Sequence, residues 1–323
     1  MIRWGILGLG NMGNHFAEAI KQTENAKLNS IASLTKSKLD NFSSKFKIDK
    51  KNCYNNYEEL IKNKDVDAVY ISTLNNTHLD LVKKCAIAKK NILCEKPLGL
   101  NYAEVDTAKK YIDKNNIKFY EAIAYYSHPQ TELIKKLILE SEIGKILKIE
   151  CSFGFKSKIR PSSRLFSRNL GGGSILDVGC YPISFLMLFE NNVKNFEFQN
   201  KKVSFAETHV DDYAEANLKI SNNISANIKV SLKENFTNNC IIKGEDGEII
   251  IPSPWIQNKK TFIEIKNKKK YYKKFINSDK STYAYQIEKV SKSFENKASK
   301  DINLFDINRS LICSNLLDKW IDE

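Results

Sequence analysis

The sequence predicts a two-domain protein, α/β in its first part and α+β in the remainder, and three observations carry this expectation. Up to about Ala122, short apolar runs alternate with amphipathic stretches of helical period, the signature of repeated βαβ units and a parallel sheet covered on both faces. Beyond Glu121 the period changes to two, as in an antiparallel sheet covered on one face. Between the first apolar run and the first amphipathic stretch stands a glycine-rich turn.

Strands are expected at residues 2–7, 28–33, 68–72, 91–94 and 117–121, with helices at 11–23, 36–46, 78–89 and 102–115. A helical segment at 131–140 opens the second part. There Leu147, Ile149, Cys151, Phe153 and Phe155 alternate with Lys148, Glu150, Ser152 and Gly154. The same code returns in Ala214, Ala216, Leu218 and Ile220, and again in Ala226, Ile228, Val230 and Leu232. Asp246-Gly247 supplies hairpin-turn chemistry before a strand at 248–251. A last helix over about 302–321 carries Leu304, Ile307, Leu311, Leu316 and Trp320 as a packing face. The boundary therefore falls near residue 122, giving domains over 1–122 and 123–323, the second with a mostly antiparallel open β-sheet.

Composition narrows the class. With 323 residues, 42% hydrophobic and 28% charged, the chain is not a disordered, collagenous or coiled-coil sequence. Its longest apolar run, residues 183–189, falls far short of the ~18 residues that suggest a membrane span. Asn11, Asn14 and His15 interrupt the N-terminal apolar patch before any signal-cleavage pattern, so the chain is read as starting at Met1. Seven cysteines without a C-x-x-C pair or metal-ligand spacing suit reduced thiols in a cytoplasm, and no metal site is expected. A net charge of +13 invites a nucleic-acid reading, but only five of the 51 basic residues are arginine and the lysines are strewn along the whole chain. The densest lysine run, residues 266–274, is expected on a solvated edge or hairpin.

Gly8-Leu9-Gly10-Asn11-Met12-Gly13 follows the first strand and opens the first helix, the context in which G-x-G-x-x-G has a mechanism. Gly8 allows a tight turn, Gly10 lets a pyrophosphate approach the backbone, and Gly13 lets helix and strand pack closely. Helix N-terminal amides then face the phosphate charge. The first domain is accordingly read as a Rossmann dinucleotide-binding domain, against the alternative of an ordinary glycine turn. An NAD site usually places an acid at the end of the second strand, yet no carboxylate lies between Glu24 and Asp40. Ser33, Thr35, Lys36 and Lys38 stand there instead and suit a 2′-phosphate, which favours NADP while leaving NAD open.

Cys94-Glu95-Lys96-Pro97-Leu98 closes a strand, so Lys96 falls at the carboxyl end of the parallel sheet, where open α/β sheets bind ligands. In a partly desolvated crevice an ammonium loses its proton more readily and can serve as proton donor or acceptor. A second constellation runs Leu170-Gly171-Gly172-Gly173-Ser174-Ile175-Leu176-Asp177-Val178-Gly179-Cys180-Tyr181-Pro182. Three glycines let the chain approach a ligand, and on a helix beginning near Ser174 the i,i+4 pair Asp177 and Tyr181 shares a face. A phenol beside a carboxylate suits proton relay; a capped helix with a core tyrosine is the competing reading.

Further short motifs stand in order: Ser72-Thr73-Leu74-Asn75-Asn76-Thr77-His78, Glu121-Ala122, His128-Pro129-Gln130, Ser163-Arg164-Leu165-Phe166, Val210-Asp211-Asp212 and Lys243-Gly244. Together with the segments above they resemble the Gfo/Idh/MocA oxidoreductase family over nearly the whole chain. Tyr181 makes the resemblance strongest to its glucose-fructose oxidoreductase and dihydrodiol dehydrogenase side. The resemblance implies that Lys96 is the catalytic lysine, with Tyr181 and Asp177 completing the site. It also implies that Thr73, Asn75 and His78 line the nicotinamide side, where Glu95 is counted with them, and that Arg164, Tyr126 and His128 face the substrate. Two positions depart from the family pattern: Leu74 replaces a common proline, and Tyr126 stands where many relatives carry arginine. Arg164 clusters in sequence with Arg160 and Arg168, which fits an anionic or polyhydroxyl ligand, or else cofactor phosphates and solvent. His15 and His209 are read as surface or structural histidines.

The expected activity is hydride transfer between a nicotinamide and a hydroxyl or carbonyl carbon of a sugar-like substrate: a sugar, polyol, keto-sugar or sugar nucleotide, with a dihydrodiol as alternative. A nucleotide- or sugar-sensing regulator on the same fold is the rival, which the presence of both Lys96 and Tyr181 argues against. The resemblance further implies a homodimer or homotetramer through the second-domain sheet, and neither a nucleic acid nor a membrane is expected as partner.

Overall fold

The computed structural model describes residues 1–190, 192–220, 224–295 and 304–322. Strands and helices alternate at first: β1 (Ile2–Leu7), α1 (Asn11–Ala19), β2 (Ala26–Ala32), α2 (Lys36–Phe46), β3 (Cys53–Tyr54), α3 (Tyr57–Lys62), β4 (Ala68–Ile71), α4 (His78–Ile87), β5 (Asn91–Cys94), α5 (Tyr102–Asn115) and β6 (Phe119–Glu121). Then come α6 (Pro129–Leu139), β7 (Ile146–Gly154), α7 (Cys180–Leu186), β8 (Glu197–Phe205), β9 (Asp211–Ile220), β10 (Ile224–Ser231), β11 (Cys240–Gly244), β12 (Gly247–Ile251), β13 (Lys260–Asn267), β14 (Tyr271–Asn277), α8 (Thr282–Glu295) and α9 (Ile307–Ile321). Ile302, where the last helix was expected to begin, lies outside the described residues. No helix among the described residues is long and apolar enough to cross a membrane.

The chain divides into two compact units. One comprises Met1–Gly99, Ala103–Ser127 and Lys280–Ser310, the other Leu100–Tyr102, His128–Asp279 and Leu311–Glu323. In the first, six parallel strands lie in the order β3-β2-β1-β4-β5-β6. Strands β1, β4 and β5 are buried nearly throughout, which is why they read as continuous apolar runs rather than as alternation. The order reverses between β1 and β4, and the carboxyl ends of these strands frame the crevice where such sheets bind ligands. The short β3 and α3 have no counterpart in the sequence reading, being too brief to show a period.

The first unit is not a contiguous stretch ending at residue 122, because α8 belongs to it. Ala284, Ile287, Val290 and Phe294 of α8 share one core with Trp4, Ile6, Phe16 and Tyr70. Trp4 is fully buried, and its indole N–H donates to Ser291 Oγ at 3.0 Å, so the buried donor is satisfied.

In the second unit eight strands form one sheet in the order β14-β13-β12-β11-β7-β10-β9-β8. It is antiparallel except where β7 and β10 pair in parallel. The period-two code reads correctly: Ala214, Ala216, Leu218, Ala226, Ile228 and Val230 are buried while Asn217 and Lys219 are exposed. β11 and β12 form the hairpin with Gly244 paired to Gly247. The lysine run straddles the β13–β14 hairpin, with β14 at the sheet edge.

Candidate functional site

The glycine turn between β1 and α1 has three differently constrained positions. Gly8 has φ +92°, and a Cβ there would meet Ser72 O at 2.9 Å. At Gly13 a Cβ would lie 2.6 Å from Gly8 O, so α1 packs on the turn at a distance only glycine permits. Gly10 is the opposite case, with nothing within 4 Å of its Cβ direction. It caps α1 without a side chain to engage the first-turn amides, and no acid occupies that turn. Bare amides and open space fit the pyrophosphate of a dinucleotide, which Gly8, Gly10, Asn11, Met12 and Gly13 would hold. Asn11 is exposed and Met12 half-buried at this end.

At the end of β2, Ser33 is buried and its Oγ accepts from Thr35 N at 3.1 Å. That hydroxyl shapes the turn. Residues 34–38 beyond it are exposed, among them Thr35, which caps α2, Lys36 and Lys38. Lys36 pairs with Asp40 at 3.4 Å.

Past β4 and β5 the chain builds the other end of the crevice. The Thr73 and Thr77 hydroxyls lie 2.6 Å apart, and Asn75 is buried in the following turn. His78 opens α4 fully buried, with Nδ1 2.9 Å from Pro97 O and Nε2 3.3 Å from Thr73 O. Burial lowers its pKa and favours the neutral ring. A neutral ring carries one N–H and donates to one of these two carbonyl oxygens, so His78 sits between the Thr73 and Pro97 loops and bonds to one of them. Glu95 is buried and accepts from the Tyr70 hydroxyl, and its Oε2 accepts from Lys96 N at 3.3 Å. Lys96 is half-buried, and the Lys96–Pro97 peptide is cis.

Sequence reasoning named Glu95, and Glu121 only as part of a short motif; it did not name Tyr70 or Tyr283. Tyr70 projects from β4 and Tyr283 from α8; burial first, then the Glu95 charge, raises both phenols. Glu121 ends β6, and its Oε1 accepts from Leu98 N at 3.0 Å. Burial pushes its carboxyl up to about 7; hydrogen bonds from Ser310 and Leu98 and the Lys96 charge oppose the shift, while the Glu95 charge adds to it. A glutamate closing an otherwise apolar strand was the available signal.

In the second unit Asp177 and Tyr181 do not share a regular α-helix from Ser174. Ile175–Gly179 is a π-helical turn, with α7 starting at Cys180, so the i,i+4 argument does not transfer to this segment. Asp177 is buried and accepts from Arg164 Nη1 at 2.9 Å. Arg160 and Arg168 are exposed on the same long loop. The glycines ahead of the turn approach the protein itself: a Cβ on Gly172 would meet Leu165 O at 2.7 Å, and one on Gly173 (φ +117°) would meet Asp211 Oδ1 at 2.1 Å. Asp211 caps the π turn from β9, its Oδ2 accepting from Ser174 Oγ at 2.7 Å and Ile175 N at 2.6 Å. The Tyr181 ring is set by Phe153 at 5.1 Å and Trp255 at 6.1 Å between centroids.

Two residues expected at the substrate, Tyr126 and His128, are buried and held by neighbouring side chains. Tyr126 is buried, edge-on to Phe305 at 5.2 Å and under the Arg309 guanidinium at 5.9 Å. His128 is buried as the cap of α6, its Nδ1 accepting from Gln130 N at 3.1 Å and its Nε2 2.9 Å from Ser278 Oγ.

A parallel sheet in this strand order, with a glycine turn baring helix amides after β1, defines a dinucleotide-binding protein of the Rossmann class. Residues 2–122 match the oxidoreductase family with an NAD-binding Rossmann fold, and residues 131–250 match the GFO/IDH/MocA C-terminal domain. The trans-1,2-dihydrobenzene-1,2-diol dehydrogenase of Xenopus tropicalis is 32% identical over 253 residues, 78% of this chain and 75% of that protein. The fold matches that of aldose-aldose oxidoreductase from Caulobacter crescentus, solved with glycerol, at a TM-score of 0.90 and 20% identity over 99% of this chain and 96% of that one. It also matches a 3-ketoreductase from Actinomadura kijaniata, solved with NADP and TDP-benzene, at a TM-score of 0.88 and 20% identity over 98% and 96%. This chain belongs to the Gfo/Idh/MocA oxidoreductase family and is an NAD(P)-dependent oxidoreductase.

Proposed function

We propose that the protein transfers hydride between NADP and a hydroxyl or carbonyl carbon of a sugar-like substrate, with Lys96 moving the accompanying proton. The observation that carries this reading is the address of Lys96: half-buried at the carboxyl end of β5, on a loop beside His78 and flanked by Glu95. When bound, the nicotinamide supplies or accepts the hydride. In the reducing direction Lys96 donates a proton to the substrate oxygen, and in the oxidising direction it accepts one. Tyr181 is the second proton-handling group, its ring fixed by Phe153 and Trp255. Asp177 orients the site, and its partner Arg164 offers a cation to an anionic or polyhydroxyl substrate. Holding reactants in register supplies roughly 7 to 11 kcal/mol of the barrier reduction such a site needs.

Thr35 and Lys38, exposed past β2, support NADP, as does the lack of an acid between Glu24 and Asp40. Names of relatives point to two substrate groups: a dihydrodiol from the amphibian dehydrogenase, and sugars from the aldose oxidoreductase. We also assign a homodimer or homotetramer through the second-unit sheet, on the family resemblance, and a cytoplasmic location, which seven free cysteines suit. The test is Lys96→Met with NADPH oxidation screened over keto-sugars and NADP reduction over polyols and trans-dihydrodiols. Turnover is expected to fall on the order of 10²-fold or more with NADPH affinity little changed. Turnover retained by the variant refutes the role of Lys96.

A further inference from the structure

The carboxyl end of the parallel sheet holds a second buried acid that the proposed chemistry leaves unused. Glu121 is 4% exposed at the end of β6, next to the strand that delivers Lys96. Its position is fixed from several sides: Oε1 accepts from Leu98 N at 3.0 Å, the Ser310 side chain hydrogen-bonds to the carboxyl group, and its own main-chain N–H donates to Phe305 O at 2.8 Å. From β5 and the loop after it, the Cys94 thiol, the Glu95 carboxylate and the Lys96 ammonium face it; from α9 comes the Ser310 hydroxyl. Arg309, beside Ser310, is turned to Leu304 O and the Tyr126 ring. Glu95 is itself bound by the Tyr70 hydroxyl and faces Tyr283. The Lys96 charge is therefore felt at Glu121, the acid that also anchors the loop two residues further on.

We propose that Glu121 is the positioning residue of Lys96: it holds the 96–98 loop through the Leu98 amide and, when ionised, keeps the Lys96 ammonium charged. The proposal rests on the reading of Lys96 as the proton carrier. Burial places the Glu121 titration at about 7, so the two halves of its role separate with pH. Below that range the neutral carboxyl still accepts from Leu98 N but exerts no counter-charge. Above it the carboxylate opposes loss of the Lys96 proton, since an opposite charge close by favours the charged form of its neighbour.

The experiment needs neither cofactor nor substrate. The full chain and its Glu121→Gln variant are labelled with isotopically distinct acetic anhydride at pH 6 and pH 8, and the Lys96 peptide is quantified by mass spectrometry. Glutamine keeps an acceptor for Leu98 N and removes the charge. Lys96 of the variant is expected to label on the order of tenfold faster than wild type at pH 8, and equally at pH 6. Equal labelling at both values, or the same increase at both, overturns the proposal. Should the variant fail to fold, the wild-type labelling curve decides alone: an inflection near pH 7 supports the proposal and a simple one-group curve overturns it. Turnover retained in Lys96→Met would remove the functional reading and leave this result untouched, so the two failures are distinguishable.

Discussion

Replacing the second and third glycines of the first turn, Gly10 and Gly13, with alanine separates cofactor binding from folding. In Gly13→Ala the new Cβ would sit 2.6 Å from Gly8 O and 3.3 Å from Ser72 Oγ. An ordinary contact is about 3.4 Å or more, so α1 must retreat by most of an ångström from a turn that Ser72 also holds, at 2.7 Å from Gly8 O. Strain of this kind costs about 1–3 kcal/mol. In Gly10→Ala the Cβ meets nothing within 4 Å, and the remaining penalty is that of alanine at a helix cap, about 1 kcal/mol or less. The methyl would nevertheless occupy the space before the helix amides. NADPH titrations followed by tryptophan fluorescence, with urea unfolding of the cofactor-free protein, read the two effects apart. Gly10→Ala is expected to weaken NADPH binding on the order of tenfold to a hundredfold, about 1.4–2.8 kcal/mol, with unfolding nearly unchanged. Gly13→Ala is expected to lose both. Wild-type NADPH affinity in Gly10→Ala would refute the assignment of this turn to the pyrophosphate.

Two further outcomes follow from the same geometry. Lys38→Glu is expected to raise the Michaelis constant for NADPH several-fold while leaving that for NADH unchanged or lower; a strong NADH preference in the wild type would contradict the 2′-phosphate assignment. Asp211 has its carboxyl raised by burial from 3.8 to about 6, against hydrogen bonds from Ser174 and Ile175 that lower it. A raised carboxyl contributes stability that is present below the unfolded pKa and lost as pH climbs through the folded one, here between about 3.8 and 6. Relative to Asp211→Asn, the wild type is therefore expected to lose on the order of 3 kcal/mol from pH 3 to pH 7 in urea unfolding, and a pH-independent difference refutes the titration.

Much of the candidate site was legible because its address is local. Gly8, Gly10 and Gly13 are read from a strand-turn-helix context, and Lys96 from its place two residues past a buried strand. Asp211 and Glu121 stand in motifs read from the sequence, but the contacts that give them a role come from distant segments and were not legible. Asp211 caps the turn before Asp177 across 36 residues of chain, and Glu121 meets the Leu98 amide 23 residues away. Tyr126 and His128 are buried, which a matching local motif does not reveal. In α8, Ala284, Ile287, Val290 and Phe294 recur at helical spacing, yet only their contact with Trp4 and Phe16 reveals which sheet they cover.

The two sheet types, the glycine turn and the lysine at the strand end are encoded locally, because periodicity and turn chemistry act over a few neighbouring residues. Tertiary structure decided that α8 returns to the first sheet, that Gly172 and Gly173 make room for Leu165 and Asp211, and that Glu121 is buried against the Leu98 amide. Those outcomes depend on desolvation and on close packing between segments far apart in the chain, and no local pattern encodes either.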